Sequence, residues 1–122
     1  MRPFLKWAGG KGQLVPDLLA RAPRRIETYY EPFVGGGAMF FALAGDPGRA
    51  PRRAVLNDAN GELVTVYEVI RDHAAKLVAR LEALATPYLA AAAEERAAIY
   101  YAQRARVPED RVDIAARFIF LN

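Results

Sequence analysis

Pro32-Phe33-Val34-Gly35-Gly36-Gly37 separates two stretches of different character. Before it, residues 26–30 are short, β-branched and aromatic, and predict a strand. After it, residues 38–43 are apolar nearly all round, as in a buried helix. Glycines between a strand and a helix let the backbone turn tightly and approach a ligand closely. The helix start adds N–H groups that have no partner within the helix. A nucleotide-type cofactor binds in such a place, at the carboxyl end of a strand. A tight strand-to-helix turn with no ligand is the alternative.

Downstream, residues 54–57 read as a second strand, and Asp58 follows Gly37 by 21 positions. Dinucleotide-type folds place an acidic residue about 20 positions on, where its carboxylate accepts from ribose hydroxyls. A turn or helix-capping role is the alternative for Asp58. Upstream, Phe4-Leu5-Lys6-Trp7-Ala8-Gly9-Gly10-Lys11 sets a lysine among glycines, where its ammonium can reach a carboxylate with little hindrance. Trp7 offers an aromatic face to a flat base or a cation, or else belongs to the core. A phosphate-binding P-loop is excluded, because no strand precedes Lys11 and no Ser or Thr follows it.

Farther out, a helix is predicted over 13–21, with Pro16 tolerated only in its first turn and Pro23 beyond its end. Residues 45–48 form a turn and 49–53 an exposed basic loop. Asn60 caps a helix over 62–85, whose apolar stripe is Leu63, Val66, Tyr67, Ile70, Leu77, Leu81 and Leu84. Thr86-Pro87 predicts a break, then a helix over 88–106, and a last helix from near Asp110. Two strands, each followed by a helix, indicate an open parallel α/β sheet. Two strands alone are too few for such a sheet, and residues 115–122 are apolar where termini are usually polar. Both features lead us to expect an incomplete fold that continues past Asn122; the alternative for residues 115–122 is a C-terminal element docked on the core.

Of the 122 residues, 53% are apolar and 25% charged, as in ordinary globular domains. No apolar run reaches the roughly 18 residues of a membrane span, and no signal-peptide core follows Met1-Arg2-Pro3. The chain has no cysteine, which excludes disulfides and thiolate metal sites and suits a reducing cytoplasm. The net charge of +3 favours a polyanion partner only weakly. His73 reads as a surface residue with no metal-type ligands near it. The Arg24-Arg25 and 49–53 groups are suited to phosphates or to a solvated face.

Three segments together resemble the successive motifs of Dam-type, D12 class adenine-specific DNA methyltransferases. They are Phe4-Leu5-Lys6-Trp7-Ala8-Gly9-Gly10-Lys11, Tyr30-Glu31-Pro32-Phe33-Val34-Gly35-Gly36-Gly37 and Leu56-Asn57-Asp58-Ala59-Asn60. The resemblance covers essentially the whole chain, and residues 115–122 look like the segment before that family's target-contacting region. It implies a Rossmann-like S-adenosylmethionine-dependent methyltransferase fold, of which residues 1–122 are the N-terminal part. Trp7 and Lys11 would then contact the methionine end and neighbouring parts of S-adenosylmethionine. Phe33 and the turn from Gly35 to Gly37 would wall the pocket, and Asp58 would hold the ribose. Glu31 would act through water near the methionine amino group, or else stabilise the following helix start. The implied partner is double-stranded DNA, whose adenine is flipped out and methylated on N6.

The family's Asp-Pro-Pro-Tyr motif, which binds that adenine, does not occur among the 122 residues, and Thr86-Pro87-Tyr88 is only a distant echo. No catalytic residue and no metal ligand is therefore expected in this chain, and no membrane partner. It reads as the cofactor-binding half of an enzyme. The other reading is a non-catalytic S-adenosylmethionine-binding module, or half of a split enzyme working with a complementing C-terminal chain.

Overall fold

The computed structural model describes residues 3–122. Met1 and Arg2, with which the signal-peptide reading begins, lie outside them. The described chain is mixed α/β and divides after Ala59 into two compact units.

The first unit holds the only two strands among the described residues. β1 (Thr28–Glu31) pairs in parallel with β2 (Arg53–Leu56), with Thr28 opposite Arg53 and Glu31 opposite Leu56. Parallel neighbours need a crossover, and α2 (Ala38–Ala44) supplies it. Both strands end where their sequence stops supporting a ladder. Pro32 has no N–H to donate, so β1 closes on Glu31, whose carbonyl accepts from Asn57 N at 2.8 Å. A short 3-10 turn (Lys11–Gln13) precedes α1 (Val15–Arg21), in which Pro16 occupies the first turn as expected. Leu5, Val34, Met39 and Leu43 are buried in this unit, and so is one charged side chain, Glu31. Asp46 Oδ1 accepts from Gly48 N at 2.9 Å and shapes the predicted turn.

The second unit is helical: α3 (Gly61–Ala90), α4 (Ala93–Ala105) and α5 (Arg111–Leu121). Asn60 caps α3 through its side chain, which accepts from Leu63 N at 3.2 Å. Asp110 caps α5, accepting from Val112 N and Asp113 N at 2.9 and 3.1 Å. Leu63, Val66, Val69 and Leu77 of α3 are buried, as are Ala115 and Ala116 of α5. Small residues at 115 and 116 let two helix backbones approach closely. Ion pairs flank that seam, Arg80 with Asp113 at 2.8 Å and Arg111 with Glu68.

Each of the first two helices in this unit is closed at its C-terminus by an arginine from the helix that follows. Arg96 of α4 donates to the carbonyls of Tyr88 and Leu89 at 3.0 and 2.9 Å. Arg117 of α5 donates to those of Gln103 and Arg104, both at 2.8 Å. Terminal carbonyls have no intrahelical donors, and they form the negative end of the helix dipole. A guanidinium meets both needs at once.

Four expectations need correction. Thr86-Pro87 does not break the helix: α3 runs on to Ala90 with Pro87 inside it. Proline costs that helix one hydrogen bond, and the edge-to-face contact of Tyr88 with Phe120, centroids 5.3 Å apart, recovers part of the loss in the same turn. The following helix consequently starts at Ala93 rather than 88. The irregularity lies instead at His73, whose φ of −140° and ψ of 34° kink α3. Val69, absent from the expected stripe, is buried to 1% exposure, whereas Tyr67, Ile70, Leu81 and Leu84 are only half-buried.

Candidate functional site

The first unit encloses a cleft of about 420 Å³, a volume within the range of small-ligand sites. Its walls come from three places in the chain. Pro3, Leu5 and residues 7–12 form one side, residues 33–36 with Ala38 another, and Asp58 the third. All three lie at or beyond the carboxyl ends of the two parallel strands, which is where the sequence placed a ligand.

The glycine turn is shaped by a close neighbour. Gly35 has φ +51°, and a Cβ there would stand 2.8 Å from Cδ1 of Trp7. No other residue type fits without displacing the indole. Gly37, at φ +72° and ψ 24°, is the N-cap residue of α2, a left-handed conformation that residues with a Cβ rarely adopt. Its N–H reaches the Val34 carbonyl at 2.8 Å, and Val34 N in turn donates to the Asn57 carbonyl at 2.9 Å. The turn is thereby tied to the end of β2. Asp58 adds a second tie, with Oδ2 accepting from Gly35 N at 2.9 Å.

Lys11 crosses from the first wall to the second. Its Nζ donates to the Phe33 carbonyl at 2.7 Å and to Glu31 Oε1 at 3.4 Å. The lysine side chain is 41% exposed and the glutamate side chain 7%. A carboxylate so buried needs donors around it, and Tyr29 provides another, its hydroxyl donating to Glu31 Oε2 at 2.9 Å. Burial raises the Tyr29 phenol far above its usual pKa, and the hydrogen bond and charge of Glu31 add to the rise.

Of the seven residues expected at a site, Trp7, Lys11, Phe33, Gly35 and Asp58 line the cleft. Glu31 and Gly37 do not. Glu31 stands behind Lys11, and its hydrogen bonds run to Lys11 and Tyr29. The N-cap residue of α2 is Gly37, which makes no side-chain cap hydrogen bond. Phe33 is 69% exposed and offers an apolar face at the rim. Tyr29 escaped the sequence reading, although the signal was present. Residues two apart on a strand share a face, so Tyr29 was bound to accompany Glu31. The close fit of Trp7 on Gly35 had no such signal, because it joins segments 28 positions apart.

Elsewhere, Arg49 is engaged within the fold, donating to the Leu19 carbonyl at 2.6 Å and pairing with Asp46 at 3.6 Å. Arg52 pairs with Glu27 at 3.6 Å, both side chains well exposed. Among the described residues, no three His, Cys, Asp or Glu side chains gather as they would around a metal ion. Among them, too, no helix is long and apolar enough to cross a membrane.

The model of the D12 class N6 adenine-specific DNA methyltransferase family matches residues 7–122. Type II methyltransferase M.MjaIII of Methanocaldococcus jannaschii is 34% identical over 132 aligned residues, spanning all of this chain and 45% of that protein. Type II methyltransferase M1.LlaDCHI of Lactococcus lactis subsp. cremoris is 44% identical over 78 residues, 64% of this chain and 25% of the relative. The DNA adenine methylase of Escherichia coli (strain K12) is 31% identical over 123 residues, 99% of this chain and 40% of the relative. The chain thus spans less than half the length of these relatives.

Proposed function

Since the chain belongs to the D12 class of N6 adenine-specific DNA methyltransferases, we propose that the cleft of its first unit holds S-adenosylmethionine. The observation that carries this reading is convergence. Trp7, Lys11, Phe33, Gly35 and Asp58 come from three separate segments and line one cleft.

The chemistry of the lining suits each part of that cofactor. Lys11 presents a cation to the carboxylate of the methionine end, its place set by Glu31 and the Phe33 carbonyl. Trp7 and Phe33 supply aromatic surface, which attracts a sulfonium cation or stacks on a base. Gly35 lets the Trp7 indole sit against the turn, where a Cβ would displace it. Asp58 takes the ribose hydroxyls, while its bond to Gly35 N keeps the glycine turn in register with the carboxylate. When bound, S-adenosylmethionine supplies an activated methyl group. These residues hold and orient it.

For the whole protein we propose methyl transfer from S-adenosylmethionine to N6 of adenine in double-stranded DNA, within a Rossmann-like fold. The 122 residues contain no Asp-Pro-Pro-Tyr. The reading therefore gives them the cofactor side of the reaction and leaves adenine binding to other residues, of the same or a complementing chain.

Calorimetry on the full-length protein tests the pocket. S-adenosylhomocysteine, the demethylated product, is expected to bind, and Asp58→Ala to weaken it by at least about tenfold, as the loss of a charged hydrogen bond implies. Equal binding by wild type and variant sinks the ribose assignment. Absence of binding to folded wild type sinks the cofactor reading.

A further inference from the structure

Lys11 owes its place at the cleft wall to two acceptors, and one of them would turn if nothing held it. A lysine side chain is a flexible four-carbon stem, so its ammonium goes where its acceptors are. The Phe33 carbonyl is fixed by the backbone. The Glu31 carboxylate is not, because rotation about its terminal torsion is soft. Tyr29 removes that freedom: its hydroxyl donates to Oε2 at 2.9 Å, while Oε1 faces Lys11 Nζ at 3.4 Å. Tyr29 does not line the cleft, and neither does Glu31. The order is Tyr29, Glu31, Lys11, cleft.

We propose that Tyr29 is a positioning residue, acting through Glu31 to hold the Lys11 ammonium where the carboxylate of an amino-acid-bearing nucleoside is received. This role rests on the cofactor reading above. It makes the Tyr29 hydroxyl matter to one end of the ligand only. The nucleoside end is met by other groups, and removing the hydroxyl leaves them in place.

The test compares two ligands on the full-length protein by calorimetry. S-adenosylhomocysteine carries the amino-acid end, and 5′-methylthioadenosine has the same nucleoside and thioether without it. Tyr29→Phe keeps the ring and is expected to weaken S-adenosylhomocysteine by roughly three- to tenfold, the range of one hydrogen bond. Methylthioadenosine is expected to stay within about twofold, which is inside the range of a neutral change. Adding Tyr29→Phe to Glu31→Gln is expected to cost no further affinity, since the hydroxyl acts only through that carboxylate. A purely structural role moves both ligands together, and that result overturns the proposal. So does an unchanged affinity for S-adenosylhomocysteine, or a double variant with additive losses. Should Tyr29→Phe not fold, Glu31→Gln alone must show the same split between the ligands for the role to survive. Wild type binding neither ligand removes the cofactor reading, and this role with it.

Discussion

The two units differ in where their most engaged charged side chains lie, although Arg49 of the first unit also closes a helix end, on the Leu19 carbonyl. In the first, Lys11 and Asp58 line a cleft beside its glycine turn, and Glu31 is buried behind Lys11. In the second, the charges lie at helix ends and along a seam: Arg96 and Arg117 on terminal carbonyls, and Asp110 on the opening N–H groups of α5. The first arrangement buries a carboxylate among a few donors, which stabilises little by itself because desolvation opposes the pairing. The second satisfies backbone groups that every helix leaves over. Inward charge is expected where a ligand is held, and charge at helix ends where helices are secured.

That contrast can be broken in several ways. The largest combined effect, on stability and affinity together, is expected from Gly35→Ala. A methyl group 2.8 Å from the Trp7 indole, on a residue at φ +51°, forces both apart. Thermal denaturation should show a loss of roughly 1–3 kcal/mol, the cost of such strain, and cofactor affinity should fall more than about tenfold, or roughly 1.4 kcal/mol. A variant as stable and as tight as wild type means that Trp7 is not held against the turn. Next comes Arg117→Ala, which removes two charged hydrogen bonds from the end of α4. A loss of about 1.5–3 kcal/mol follows, with amide exchange quickened in α4. Cofactor affinity should be unchanged, and if it falls in step with stability the division of labour between the units is wrong.

The smallest effect concerns Tyr29 and pH. The free phenol titrates near about 10, and in the folded chain burial and Glu31 raise it. Unfolded chains therefore give up the Tyr29 proton as pH passes about 10 while folded ones keep it, so stability falls as pH rises through that point. Urea denaturation across this range should show wild type losing stability faster than Tyr29→Phe, which has no phenol to ionise. Parallel pH profiles would indicate that the hydroxyl is not engaged by Glu31.

The sequence was most legible where one residue type does one job locally. Asn60 and Asp110 were readable as helix starts, and the glycine turn after a strand was readable from three adjacent residues. Convergence of Trp7, Gly35 and Asp58 was legible only as order and spacing, because the contacts that join them are long-range. The helical half was misjudged at Thr86-Pro87, where local preference opposes the helix yet α3 continues, with Tyr88 beside the proline packed on Phe120. The kink at His73 had no signal in the residue types around it, and the structure shows no glycine or proline at that point.

The bond from Gly35 N to Asp58 Oδ2 spans 23 positions, and this has a consequence for the order of events during synthesis. When the ribosome has added the glycine turn, its hydrogen bonds to Asn57 and Asp58 cannot yet form, although Trp7 and Lys11, which also meet the turn, have already been made. Domains fold as units in the direction of translation. The glycine turn therefore completes its hydrogen bonds only when the end of the second strand has cleared the exit tunnel. From that moment its remaining partners, Trp7 and Lys11 included, are already outside.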